Sequence, residues 1–366
     1  AQASFVLSFG LVEPAHHLTH ARPSEAGKMS AEAGVVTAEL APSAELPTID
    51  TKMLASAVDA ENPAVKALHQ ACVDTGFFIL ANHDIPPDVM TAAFAAHSDY
   101  FALEKDNKAA LAGHSAAPFK GFMQLDTGVE SLNYGAPEHD IFGRSTSPDE
   151  ALAFDAPLAE MHAAFVSLAR VLLGGLSLAL NQPRDFFEKM GFQEPVANLS
   201  CNYYPRTPNN PLHLEVAGHT DVTFFTFVCA EGGHGLQLQQ LDGKWLNIPN
   251  TRHSFVVNIG DLAERWTNGM YKSTVHRVVR DSDEERHSFA FFNNMDSAAE
   301  VTPVPSCVSP ERPAKYAPMT AGQYWARRMS GQWEASEGDG KAKFEKGADA
   351  VLEEGEVFDV VLPTGL

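Results

Sequence analysis

The sequence predicts an α+β fold, with helices first and then one β-core of sandwich or jelly-roll type. Three observations carry this. Apolar residues recur at spacings of three and four over Leu158, Met161, Phe165, Leu168, Leu172 and Leu176, which makes one stripe of a long helix. After Asn198 the texture changes to short β-rich segments separated by turns. Leu241-Asp242-Gly243-Lys244 is a hairpin signal, because Asp-Gly supplies the positive φ angles of a tight turn.

The elements follow in order. Ordered sequence is expected from Leu46-Pro47-Thr48-Ile49-Asp50. A helix is predicted over 63–74, with Pro63 in its first turn, Val65, Leu68 and Cys72 on one face, and Gly76 ending it. Phe77-Phe78-Ile79-Leu80 reads as a short buried strand. Pro86-Pro87 opens a helix whose core face is Val89, Met90, Phe94 and Phe101. Residues 104–150 read as loops and brief strands. The long helix stops at Asn181-Gln182-Pro183. Strands are expected at 199–204, 223–229, 236–240, 245–248, 254–259, 274–279 and 286–292, and a last helix at 321–329. The chain thus divides into a tail (1–45), a helix-rich region (46–150), a long helix plus β-core (151–335) and a C-terminal tail (336–366).

The 366 residues include 47 acidic and 26 basic side chains, for a formal charge of −21. Such a field repels phosphate backbones, so a nucleic-acid partner is not expected. No run approaches the ~20 apolar residues of a membrane helix, and no membrane partner is expected. Cys72, Cys201, Cys229 and Cys307 form no Cys-x-x-Cys pair. That favours a reducing intracellular compartment, the cytoplasm, over a disulfide framework. Residues 1–45 read as a disordered extension or a targeting segment, with Met29 an alternative start. Glu13 and Glu25 argue against a transit peptide.

The chemistry centres on Gly218-His219-Thr220-Asp221. On a strand, residues two apart face the same side, so His219 and Asp221 can share a point. His276, in a later β-like segment, can supply a third ligand. Two histidines and one carboxylate leave open positions on a non-haem Fe(II). His213-Leu214-Glu215 is a rival pair, and any single histidine here is as well explained by core or surface packing. Ten positions after His276, Arg286 is expected to begin the next strand, antiparallel to the one bearing His276. Arg286 and Ser288 then share a face suited to a carboxylate. Arg280 has the same spacing to Ser282 but is expected at the turn, in solvent, neutralised by acidic neighbours.

These motifs, in the order Asn202-Tyr203-Tyr204-Pro205, His219-Thr220-Asp221, Asn258-Ile259-Gly260-Asp261, His276-Arg277-Val278 and Arg286-His287-Ser288 with Phe291-Phe292, resemble the 2-oxoglutarate-dependent dioxygenases of the isopenicillin N synthase-like group. The likeness runs from about residue 46 to 329. It implies a distorted double-stranded β-helix with flanking helices, one long. It implies that His219, Asp221 and His276 bind Fe(II), that Arg286 and Ser288 hold the distal carboxylate of 2-oxoglutarate, and that Tyr204 and Asn202 contact this co-substrate. Phe122, Phe292 and Asn294 are candidates for the substrate wall, and Asn258 to Asp261 for a structural turn. The implied activity is O2-dependent oxidation of a C–H bond of a small organic metabolite (hydroxylation, desaturation or cyclisation), with succinate and CO2 released and ascorbate as a stimulatory reductant. A monomer is expected. Two alternatives stay open: an iron oxidase that uses no 2-oxoglutarate, and a non-catalytic binding protein on the same scaffold. The sequence departs from the family pattern at Pro205-Arg206-Thr207-Pro208, Pro137-Glu138-His139-Asp140 and Asn293-Asn294.

Overall fold

A computed structural model describes residues 42–112, 121–125, 127–135, 152–193, 196–206, 213–232, 234–249, 254–280 and 284–329. Residues 1–41 of the expected N-terminal tail, the expected C-terminal tail, the proposed start at Met29 and the departure at 137–140 lie outside the described residues. Residues 42–45, expected in the tail, are ordered, with Ala44 buried and its backbone N–H donating to the Asn247 carbonyl (2.7 Å).

Strand β1 (Thr48–Asp50) runs straight into α1 (Thr51–Ala55), because the Asp50 carboxylate accepts from the Met53 backbone N–H and caps the first turn. Helix α2 (Pro63–Asp74) is capped by Asn62 and buries Val65, Leu68 and Cys72. It ends at Gly76, whose φ of +67° and whose approach to the Lys272 carbonyl leave no room for a Cβ. Strand β2 (Phe77–Ala81) and helix α3 (Pro87–Phe101) follow, the latter burying Val89, Met90, Phe94 and Phe101. Residues 105–112, expected as loop, form helix α4 (Lys105–Ala112). Its Lys108 carries its ammonium to a buried ion pair with Glu130, where strand β4 (Glu130–Gly135) begins beside β3 (Gly121–Gln124). The partners are 22 residues apart, so local sequence does not announce the helix. Helix α5 (Leu152–Ala179) is the predicted long helix; its six stripe residues are all buried, and Asn181, at a φ of 56°, turns the chain away. It is long and apolar enough to cross a membrane by composition, but two-thirds of that window (67%) is buried inside the protein.

The β-core then closes. Its strands are β5 (Val196–Tyr204), β6 (His213–His219), β7 (Phe225–Gly232), β8 (Leu236–Gln239), β9 (Trp245–Asn247), β10 (Phe255–Ile259), β11 (His276–Arg280) and β12 (Arg286–Asn294). Gly243, at a φ of +83°, makes the predicted hairpin between β8 and β9. One sheet has eight strands in the order β1-β2-β10-β7-β12-β5-β4-β3, and the other has four, β6-β11-β8-β9. Between β10 and β11 lies α6 (Asp261–Trp266), and α7 (Ala321–Met329) is the predicted last helix.

The two faces of the large sheet do different work. Odd residues of β12 face the helices: Phe291, with Phe227 of β7 and Phe255 of β10, packs under α5 around Phe165, and Phe289 packs against Phe94 and His97 of α3. Even residues look the other way. There Phe77 and Val256 meet Leu238 and Ile248 of the small sheet, making the core between the sheets. This pair of facing sheets with helices on one side is the double-stranded β-helix architecture.

One expectation is corrected. β11 and β12 are not paired neighbours: β11 lies between β6 and β8, and β12 between β5 and β7, in different sheets. A chain leaving one sheet of a sandwich can enter the other as readily as it can fold back in a hairpin, and strand periodicity does not distinguish the two.

Candidate metal and co-substrate site

His219 closes β6 directly opposite His276, the first residue of β11. Asp221 lies beyond the end of β6, so the strand alternation expected to align it with His219 does not apply. It reaches the same point from the turn that leads into β7. The Nε2 atoms of His219 and His276 each lie 3.6 Å from Asp221 Oδ1. Among the described residues this is the cluster able to hold a metal ion, its three ligand atoms lying within 4.8 Å of one another. Two imidazoles and one carboxylate are the donor set that would hold a non-haem Fe(II) and leave positions open on it.

The ring nitrogens are already assigned. His219 Nδ1 lies 2.8 Å from the Ala217 carbonyl and His276 Nδ1 lies 3.1 Å from the Thr274 carbonyl. Each carbonyl requires a proton on Nδ1, which leaves the Nε2 lone pair facing Asp221. Burial, then His276, pushes the His219 imidazole down to about 4. It is therefore neutral, as a ligand must be, at physiological pH. For Asp221, burial acts to raise the carboxyl, but the two histidines and the hydrogen bonds from Thr226 and Asn258 outweigh it and hold it below its ordinary value.

Those hydrogen bonds involve two residues that sequence reasoning missed as site residues. Thr226 Oγ1 (2.6 Å) and Asn258 Nδ2 (2.7 Å) both donate to Asp221 Oδ2, leaving Oδ1 for an ion. Asn258 was expected only as part of a structural turn; it is in β10. The signal was present: Asn258 is the polar residue in Phe-Val-Val-Asn-Ile, and Thr226 lies within a similarly apolar strand. A polar side chain on a fully buried strand needs a polar partner.

Farther along the same face lies Arg286, 4% exposed. Its guanidinium stands 4.7 Å from the centre of the Tyr204 ring and donates to Ser288 Oγ (3.1 Å). Among the described residues no carboxylate lies within ion-pair distance of it. Beside it is a pocket lined chiefly by the apolar Val228, Ala230, Leu236, Ile248 and Val256, with His234 also in its wall. A buried, unneutralised cation at one end of an apolar slot suits a short carbon chain ending in a carboxylate. Asn202 lies directly opposite Ser288, but its carbonyl oxygen accepts from Ser131 (2.6 Å) and Ser200 (3.1 Å).

Arg280 differs from expectation. It is buried, not solvated: it ion-pairs with Glu215 at 2.5 Å and donates to the Pro205 carbonyl. The rival ligand Glu215 is thereby committed to Arg280. Of the substrate-wall candidates, the half-buried Phe292 and the buried Asn294 share the face of Arg286 and Ser288 by strand alternation. Phe122 does not. It pairs with Leu132 and through it Cys201, on the opposite face, and packs against Tyr100 and Lys108. Its neighbour Met123 takes the site-facing position, in contact with Asn133.

Comparison with known proteins identifies the family. Residues 195–295 match the 2OG-Fe(II) oxygenase superfamily domain, and residues 46–152 match the N-terminal domain described as that of a non-haem dioxygenase in morphine synthesis. Jasmonate-induced oxygenase 2 of Arabidopsis thaliana is 31% identical over 301 residues, covering 79% of this chain and 80% of its own. The structure of JOX2 in complex with 2OG, Fe and JA superposes with a TM-score of 0.67 at 28% identity, over 79% of this chain and 86% of that one. A full-length Neurospora crassa protein solved in complex with alpha-KG gives a TM-score of 0.71 over 80% of this chain and 99% of that one, and at 24% identity shows the shared fold. The chain belongs to the 2-oxoglutarate–Fe(II) oxygenase superfamily. It is a 2-oxoglutarate-dependent dioxygenase that uses Fe(II) and O2.

Proposed function

We propose that this enzyme oxidises a C–H bond of a small organic metabolite. In this reading His219, Asp221 and His276 hold the iron, and Arg286 with Ser288 receives the distal carboxylate of 2-oxoglutarate. Tyr204 braces the guanidinium from the opposite strand. Asn202 serves as a fixed polar neighbour through Ser131 and Ser200. The bound metal supplies the oxidising chemistry, coupled to conversion of 2-oxoglutarate to succinate and CO2. The protein's own residues hold neutral imidazoles, restrict Asp221 to one ligand oxygen, orient the co-substrate and exclude water.

The observation that carries the proposal is the buried Arg286 guanidinium, with no carboxylate partner among the described residues, on the sheet face that also anchors Asp221. A charge so placed is costly unless an anion completes it. The substrate enters beside Phe292, Asn294 and Met123, which present an aromatic ring, an amide and a thioether. The names of relatives extend from jasmonate-induced oxygenases to the clavatol oxidase of Penicillium crustosum. That range supports small organic metabolites as the substrate class.

The test is anaerobic titration of the Fe(II)-loaded protein with 2-oxoglutarate, followed by a metabolite screen for stimulated succinate release. Saturable 2-oxoglutarate binding, and succinate formed in proportion to product, are expected. Substrate oxidation without any 2-oxoglutarate requirement would refute the proposed co-substrate site.

A further inference from the structure

Strand pairing fixes His219 but stops there; Thr220 and Asp221 lie outside the ladder. Something else must set the backbone between two candidate ligands, and the structure contains it. The buried Thr220 carbonyl accepts from Arg328 Nη2 at 3.3 Å, and the Thr220 hydroxyl donates to Asp261 Oδ2 at 3.3 Å. Asp261 also accepts from Ser273 Oγ (2.6 Å) and the Tyr324 hydroxyl (3.0 Å), and pairs with Arg328 Nη1 (2.9 Å). The backbone N–H of Asp261 donates to the Asp221 carbonyl (2.8 Å). Tyr324 and Arg328 are one turn apart on α7 and so share a face.

We propose that Asp261, Tyr324 and Arg328 form a positioning node through which the C-terminal helix α7 sets the metal-binding turn. The inference rests on the reading that His219, Asp221 and His276 hold the metal. Arg328 is a positioning residue: it grips the peptide unit between two ligands, 108 residues away in sequence, and touches neither ligand's coordinating atom. Within each α7–Asp261–Thr220 link the partners are charged or buried, which gives the turn one defined geometry.

The probe is Co(II), whose visible absorption reports coordination geometry, titrated into the full-length protein without oxygen. Arg328→Ala is expected to weaken Co(II) binding about tenfold, within the range found for residues that support metal ligands, and to change the Co(II) spectrum. Arg328→Lys restores one charge contact and recovers part of the loss. Tyr324→Phe removes one hydroxyl, gives a smaller change in the same direction, and serves if Arg328→Ala does not fold. Arg184→Ala is the control. Arg184 donates to the Leu54 and Ala57 carbonyls far from the turn, so its replacement lowers thermal stability and leaves Co(II) affinity unchanged. Unaltered affinity and spectrum in Arg328→Ala overturn the proposal. So does an equal loss of affinity in Arg184→Ala, which would make the effect general destabilisation. No Co(II) binding by the unsubstituted protein overturns the metal-site reading, and this proposal with it.

Discussion

Arg286 and Tyr204 stand directly opposite each other on β12 and β5, with the guanidinium carbon 4.7 Å from the ring centre. The pairing holds a cation in place by cation–π attraction before any anion arrives. Replacing Arg286 with Ala should raise the 2-oxoglutarate concentration needed for half-saturation by roughly 10- to 150-fold, the equivalent of about 1.5–3 kcal/mol for a charged hydrogen bond. Lysine should recover only part, because it lacks the planar fork. Anaerobic titration reads this directly, and equal affinities would remove Arg286 from the co-substrate site.

The Asp221 carboxylate is held by donors on two strands of the large sheet, Thr226 and Asn258. Thr226→Val and Asn258→Ala should each lower metal affinity by roughly 10- to 100-fold while leaving the fold intact. Calorimetric titration with Fe(II) or Co(II), alongside circular dichroism, checks this. A variant that binds metal as tightly as its parent would show that the second carboxylate oxygen needs no anchor.

Glu215 and Arg280 form an ion pair with side chains 1% and 2% exposed. Breaking it with Glu215→Gln should destabilise the protein by about 3–5 kcal/mol, because a buried cation loses its compensation. The double replacement Glu215→Leu with Arg280→Met should be much milder. Urea unfolding measures both, and a single variant as stable as its parent would contradict the argument.

His97 lies among Phe94, Phe101 and Phe289, with its Nδ1 3.0 Å from His287 Nδ1. One ring donates and the other accepts, so the acceptor must stay neutral. Burial, then His287, pushes His97 down to about 3. Between its unfolded value near 6.5 and that folded value, the unfolded chain binds a proton that the folded chain does not. Stability is therefore intact above about pH 6.5 and falls as pH drops toward 3, by at most about 1.4 kcal/mol per pH unit from this residue. The metal-free protein has a second such group in His219, lowered to about 4. His97→Phe should make the slope shallower without abolishing it. Urea midpoints from about pH 7.5 to about pH 5 test this, and an unchanged slope would refute the assignment.

What the sequence disclosed was local. The α5 stripe, the proline that starts α2 and the Asp-Gly hairpin are each decided by residues within a few turns of one another. The His219–Asp221–His276 cluster was readable because that combination of residue types at that spacing is distinctive. What stayed hidden was pairing across distance. Glu215 neutralises Arg280 from far earlier in the chain, so Arg280 looked like a solvated residue beside Asp281 and Asp283. Phe122 looked like a wall residue because an isolated aromatic gives no face; only its register against Leu132 decides that it points toward the helices. Asn258 looked structural because its partner, Asp221, is on another segment.

The division of labour along β12 has an evolutionary corollary. Ala290, Phe292 and Asn294 look toward the site, while Phe291 seats the long helix and Phe289 seats α3. On the proposed reading of the site, substrate preference and foldability are written in separate, interleaved positions of one nine-residue strand. Point substitutions can retune the first without disturbing the second. A single-residue insertion would exchange the two sets, placing the phenylalanines in the pocket and Arg286 under the helix. Lineages descending from this scaffold should thus vary in composition at alternate positions here while keeping the length of the strand.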